Sequence, residues 1–292
     1  MDARASEAVT PPQRVIAIEG PGLFGGRACR VVLSRTSYPA VRLRVGGGSL
    51  VPLGDFRVVD TNRTTTIARG ESRLSLVEHL FAALAGLSVR EHLDIDVTGD
   101  ELPLLDGGAR VWCEALAELG LGAEHAWGDG GSPAAPLLVS RRIAVHEPIV
   151  VGESVYRFAP ARDVYVAAMI DVGDPRVDAT ADWNGTASHF VTTIASARTF
   201  VDARDLEPML ASGLGASVDR ASVIVFDADT VHVAGRPFSP AEPARHKLLD
   251  LMGDLYLYGG PPRGSTHAHR PGHRATHAAI AEAIARGVLC RA

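Results

Sequence analysis

The segment that most constrains this chain is Arg245–Asp254, inside a long helical pattern, Ala244–Tyr258, opened by Pro243. His246, Asp250 and Asp254 recur there at i, i+4 and i+8. Residues so spaced drift only about 40° per step around a helix, so they line one face. Leu248, Leu249, Leu251, Met252 and Leu255 cover the remaining faces. A polar strip on so apolar a helix calls for a purpose. His and Asp at i, i+4 can hold one zinc ion, as two histidines do in the HExxH helix. Spacing alone equally allows a solvated face carrying a routine His–Asp pair.

Two other places carry candidate chemistry. Glu78-His79 puts a carboxylate beside a potential ligand at the start of a Leu-rich helix predicted over Leu76–Leu87. The same Glu78 closes the pattern Ser75-Leu76-Val77-Glu78, which reads as a capping box, so a structural role competes with a catalytic one. The stretch 263–277 holds His267, His269, His273 and His277 among Gly and Pro and reads as a loop. A loop histidine can serve as general acid or base near neutral pH, or decorate a surface.

Composition narrows the class. With 46% hydrophobic and 22% charged residues and net charge −5, the chain reads as a soluble globular protein with no basic excess for nucleic acid. No apolar run reaches spanning length and the polar N-terminal stretch has no signal-peptide core, so a cytoplasmic protein without an integral membrane segment is expected. Cys29, Cys113 and Cys290 are too dispersed for a cysteine zinc site and read as reduced thiols. Of 29 basic residues, 28 are arginine; the one lysine is Lys247, inside the segment above.

Strands are predicted near Arg14–Glu19, Arg30–Ser34, Val41–Val45, Leu93–Val97, Leu137–Val145, Val155–Phe158, Val164–Ile170 and Val223–Asp227. Further helices are predicted near Val111–Leu119, Ser188–Ala195, Asp205–Ser212 and Thr276–Ala285. The Gly- and Pro-rich stretch 127–136 reads as a linker between an N-terminal αβ domain, 1–126, and a C-terminal one, 137–292. A faint repeat joins the two halves: Gly86 follows His79 by seven residues, and Gly253 follows His246 by seven.

Several ordered blocks make the chain resemble the UDP-3-O-acyl-N-acetylglucosamine deacetylases, the LpxC family of lipid A biosynthesis. They are GPGLFGG (20–26), LSLVEHLFAALAGL (74–87), LPLLDGGA (102–109), SARTF (196–200), RHKLLDLMGDLYLYG (245–259) and PGH (271–273). The resemblance implies an α+β fold of two domains, each a β-sheet with two helices, the helices packed between the sheets. It implies one zinc ion held by His79, His246 and Asp250, which leaves a position open for water. Glu78 becomes the base toward that water, and His273 the acid toward the leaving amine, steadied by Asp254. Thr199 and Lys247 become stabilisers of the oxyanion. Leu23, Phe200, Lys247 and Asp205 become contacts to a UDP-linked acylated sugar, and an insert near 171–188 shapes an acyl passage. A monomer is expected.

Two departures bear on substrate. Phe24 stands where the family commonly has histidine, and Leu76 where it usually has threonine. They keep open a deacetylase of another N-acetylated sugar or nucleoside, and a non-catalytic sugar-nucleotide binder. The metal and proton groups are all present, which argues against the latter. Whether His267 or His269 shares the role of His273 also stays open.

Overall fold

The computed structural model describes residues 14–122, 137–140 and 147–291. The linker expected at 127–136 lies outside the described residues, as does the later part of the strand expected over Leu137–Val145.

Two five-stranded mixed sheets organise the chain. The first is ordered Val15–Pro21, Ala28–Arg35, Leu93–Val97, Val41–Val45 and Val51–Pro52. The second is ordered Ile149–Val151, Ser154–Ala159, Ser265–His269, Tyr165–Met169 and Thr180–Trp183. Each therefore places its last strand in the centre, antiparallel to the second strand and parallel to the third. The faint sequence repeat is thus a repeat of topology. Alternation drives the registers: Val41, Leu43 and Val45 are buried while Arg42 and Arg44 face outward. Those two arginines pair across the ladder with Asp94 and Asp96.

The helices are α1 (Glu78–Gly86), α2 (Arg110–Glu118), the single turn α3 (Ala187–His189), α4 (Ala203–Ala211), α5 (Glu242–Tyr256) and α6 (His273–Ala285). Every residue of α1 is buried, and nearly all of α5 is. A helix buried on all sides lies between layers. α1 packs along α5, and α5 in turn packs on Tyr165–Met169 and Thr180–Trp183. The approach is close because Gly253 faces the backbone of α1: a Cβ there would sit 2.1 Å from the Glu78 carbonyl oxygen. The fold is the α+β class expected, with helices between two sheets.

Three local expectations change. The histidine-rich stretch is not a loop. Its first part, Ser265–His269, is the central strand of the second sheet, with Thr266 and Ala268 inward. Histidine is a weak strand signal, and the inward pair is too small to show an apolar alternation. His273 is correspondingly not a loop residue but the first residue of α6, after Gly272. Third, the polar stretch Gly173–Thr186, which reads as turn-rich in sequence, contains the edge strand Thr180–Trp183, whose polar face hid it.

Candidate active site

α1 begins later than the capping box requires. Its N-cap is Val77, without any side-chain cap, and it follows Leu76 in the left-handed region at φ 60°. The Ser75 hydroxyl instead lies 3.0 Å from Thr66 Oγ1. Glu78 is therefore released from capping. Its Oε1 accepts from the Thr64 hydroxyl at 2.7 Å, and its Oε2 from the Thr65 backbone N–H at 3.2 Å. Burial pushes the Glu78 carboxyl up to about 7, against the pull of His273.

His79 and His246 meet edge to face across the two helices, with ring centres 5.2 Å apart. Asp250 Oδ1 lies 3.8 Å from His79 Nε2 and 3.5 Å from His246 Nε2. One donor atom from each of the three falls within 4.8 Å of the others, and all three residues are buried. A tetrahedral ion with arms of about 2.0–2.1 Å needs ligand atoms about 3.3 Å apart, so this set fits zinc with little adjustment. A further observation agrees. His246 Nδ1 lies 3.0 Å from the Ala197 carbonyl and donates to it, which leaves Nε2 bare toward the set. Burial and the adjacent His246 push His79 down to about 3, so it is a neutral ligand. Burial opposes the Asp250 anion, but Lys247 and the histidines hold its carboxyl well below the usual range.

Lys247 is not free. Its Nζ lies 2.6 Å from Asp250 Oδ2, the oxygen turned away from the histidines. One turn beyond Asp250, Asp254 Oδ2 accepts from His273 Nδ1 at 2.9 Å, and Oδ1 accepts from the Thr65 hydroxyl at 2.6 Å. Burial works against a His273 cation, but Asp254 and Glu78 outweigh it and lift the ring to about 9. His273 Nε2 is 3.8 Å from Glu78 Oε1, so the two candidate proton carriers face each other.

Glu78, His79, His246, Lys247, Asp250 and His273 line one cavity of about 370 Å³, and Asp254, Thr64 and Thr65 are not in its lining. Leu23, Thr199 and Phe200 line it too, and the Phe200 ring meets His246 edge-on at 6.3 Å. Asp205 is not brought there; it is exposed in the first turn of α4. Phe24 is not in the lining either. Its N–H and that of Gly25 each donate to the Glu101 carboxylate at 2.7 Å, and Gly22 has no room for a side chain against that group. His267 and His269 stay on their strand, where His267 stacks against Tyr165. Leu76 lines the cavity, as do Ile170, Asp171 and Val172 at the start of the expected insert.

The SARTF block is explained by burial. Arg198 is 1% exposed and paired with Glu242 at the start of α5, which locks Ala197 and Thr199 against the helix that carries His246. Sequence reasoning missed Thr64 and Thr65, whose only signal was a run of three threonines. It also missed Arg63 and Arg270 in the cavity lining.

A two-sheet α+β fold that buries two imidazoles, a carboxylate and an opposed acid–base pair in one cavity defines a metal-dependent hydrolase. The comparisons with known proteins make the class specific. The family described as UDP-3-O-acyl N-acetylglycosamine deacetylase matches residues 12–286. The UDP-3-O-acyl-N-acetylglucosamine deacetylase of Anaeromyxobacter dehalogenans is 32% identical over 277 residues, covering 92% of this chain and 85% of that protein. Those of Myxococcus xanthus and Psychrobacter arcticus are each 30% identical, covering 90% and 92% of this chain and 82% and 83% of theirs. The chain belongs to the LpxC family of zinc-dependent deacetylases.

Proposed function

We propose that the chain hydrolyses the acetamide of UDP-3-O-acyl-N-acetylglucosamine, releasing acetate, in the cytoplasm. The observation that carries this reading is the pairing of Glu78 and His273 across the cavity beside the ligand set. The lining supports an anionic, acylated substrate, because the cations Arg63, Lys247 and Arg270 share the cavity with Leu23, Leu76, Leu104, Ile170 and Val172. The two repeated sheets support domains of 1–126 and 137–292, and the site needs both.

His79, His246 and Asp250 would hold zinc, which when bound supplies a Lewis acid that polarises the amide carbonyl and acidifies water. Glu78 takes the proton from the attacking water; hydrogen bonds from Thr64 and Thr65 hold its carboxylate in place. His273, charged at neutral pH, gives its Nε2 proton to the departing nitrogen. Asp254 holds the opposite ring nitrogen and stabilises the cation until transfer. Thr199 steadies the developing oxyanion, and Lys247 supports it while orienting Asp250. Each proton carrier contributes roughly 10²–10⁴ in rate.

The decisive test is acetate release from the acylated UDP-sugar against its non-acylated counterpart, with one zinc per chain. Turnover of the acylated substrate alone is expected. Equal rates on both, or turnover only of another N-acetylated sugar or nucleoside, would reject the substrate.

A further inference from the structure

His277 lies one turn beyond His273 on α6, outside the cavity lining, and the mechanism above does not use it. It is buried, with three partners from other parts of the fold. Its Nε2 is 3.3 Å from Asp254 Oδ1, and its Nδ1 is 2.9 Å from the Tyr258 hydroxyl. An ionised carboxylate only accepts, and the Thr65 hydroxyl already donates to it, so the Nε2 proton faces Asp254 Oδ1 and Thr65 Oγ1 together, and Nδ1 accepts from Tyr258. The carboxylate thereby selects one tautomer, and the tyrosine holds the ring in it. Asp254 Oδ1 then receives Thr65 at 2.6 Å and His277 at 3.3 Å, while Oδ2 receives His273 at 2.9 Å. Thr65 Oγ1 stands 3.3 Å from both imidazoles, and its backbone N–H holds Glu78. Acid, base and their supports thus form one buried network whose outer end is His277 and Tyr258.

We propose that His277, locked by Tyr258, is a positioning residue for the deacetylation. It occupies one side of Oδ1 and keeps the Asp254 carboxylate turned so that Oδ2 meets His273 Nδ1. His273 Nε2 is thereby aimed at the cavity. The proposal rests on the functional reading above, and the spacing explains the choice of residue: i+4 on α6 is the neighbouring position on the same helix face. A side chain without a donor there would leave Thr65 alone on Oδ1 and free the carboxylate to rotate.

The test compares His277→Phe and His277→Gln in the zinc-loaded full chain. His277→Phe is expected to lower kcat by about 10–100-fold, the usual cost of losing a group that orients a catalytic residue, with KM and zinc content unchanged. His277→Gln, which restores an N–H donor of similar reach, recovers most of the loss. Independently of any substrate, the downfield Nδ1–H proton resonance of His273 shifts or broadens in the Phe variant and returns in the Gln variant. Wild-type kcat and an unshifted resonance in His277→Phe would overturn the proposal. So would equal impairment of both variants, which leaves only a packing role. Should His277→Phe fail to fold, Tyr258→Phe decides, with a smaller loss and the same resonance change expected and no change fatal. A wild-type protein inactive on every N-acetyl sugar defeats the functional reading instead, while the resonance arm still judges His277.

Discussion

Gly253→Ala is the most informative single substitution, because two physical effects of opposite sign meet there. Gly253 lies inside α5, where alanine is favoured over glycine by about 1 kcal/mol. An exposed helix position would therefore be stabilised. Here the new methyl would sit 2.1 Å from the Glu78 carbonyl oxygen and 2.8 Å from its carbonyl carbon. Both are backbone atoms of α1, so no side-chain rotation relieves the contact. The helices must separate by about 1 Å to reach ordinary van der Waals distance. Overpacking of this kind costs about 1–3 kcal/mol, and direct backbone contact belongs at the upper end. The net expectation is a loss of about 1–2 kcal/mol, seen as a Tm lower by a few degrees. Activity suffers more, because the residue pushed aside is Glu78. A shift of about 1 Å at a positioning contact costs on the order of 10² in rate. Thermal unfolding and acetate release, measured on zinc-loaded protein, read the two effects separately. A raised Tm with full kcat would refute the close-approach argument and return Gly253 to an ordinary helix glycine.

Lys247→Arg keeps the charge but should lose most activity, roughly ten-fold or more, because a planar guanidinium cannot reproduce the 2.6 Å point contact on Asp250 Oδ2; wild-type kinetics would make the lone lysine incidental. The kcat profile should be bell-shaped. Activity rises as Glu78 loses its proton and falls as His273 loses its own, with metal-free positions of about 7 and about 9. A bound dication lowers both. Glu78→Gln should remove the acid limb with its rate and His273→Gln the basic limb, and a basic limb that survives the latter would reassign the acid. Arg198→Ala should destabilise by about 2–3 kcal/mol, since the buried Glu242 carboxylate then keeps only Arg236 and the backbone N–H of residue 198 as partners; a denaturant midpoint within error of wild type would contradict that.

Periodicity was sufficient where one face of an element is buried and the other wet. Val41–Val45 and Leu93–Val97 occur as predicted for this reason. It failed where the buried side chains are small or the element is polar. Ser265–His269 buries only Thr266 and Ala268, so its central position in a sheet left no apolar trace. The ligand strip was legible because His246, Asp250 and Asp254 share one helix. His79 was legible locally as a candidate ligand beside Glu78, but its place in the set came only through resemblance, since its partners are more than 160 residues away in sequence. Thr65 marks the limit: its hydroxyl and N–H join Asp254 to Glu78, a relation set wholly by how the hairpin Arg57–Arg69 folds over the two helices.

The repeated topology also explains why the site is asymmetric. Each half supplies a histidine near the start of the helix that precedes its central strand. On α5 the positions four and eight beyond that histidine are Asp250 and Asp254; the equivalent positions after His79 are Ala83 and Leu87, both buried. A second pair of carboxylates there would place five buried acids, Glu78 included, around one dication, with too few donors to satisfy them. One helix carries the acidic strip, and the other turns a single acid, Glu78, toward the cavity from its first residue. The lysine fits the same balance. Asp250 turns one oxygen toward the neutral histidines and gives the other to Lys247, so the buried ligand carboxylate has a cation on one side even before metal arrives on the other. That arrangement predicts a site preformed without zinc: amide exchange along α5 should stay slow in metal-free protein, and fast exchange through Asp250 would mean that the metal builds the site.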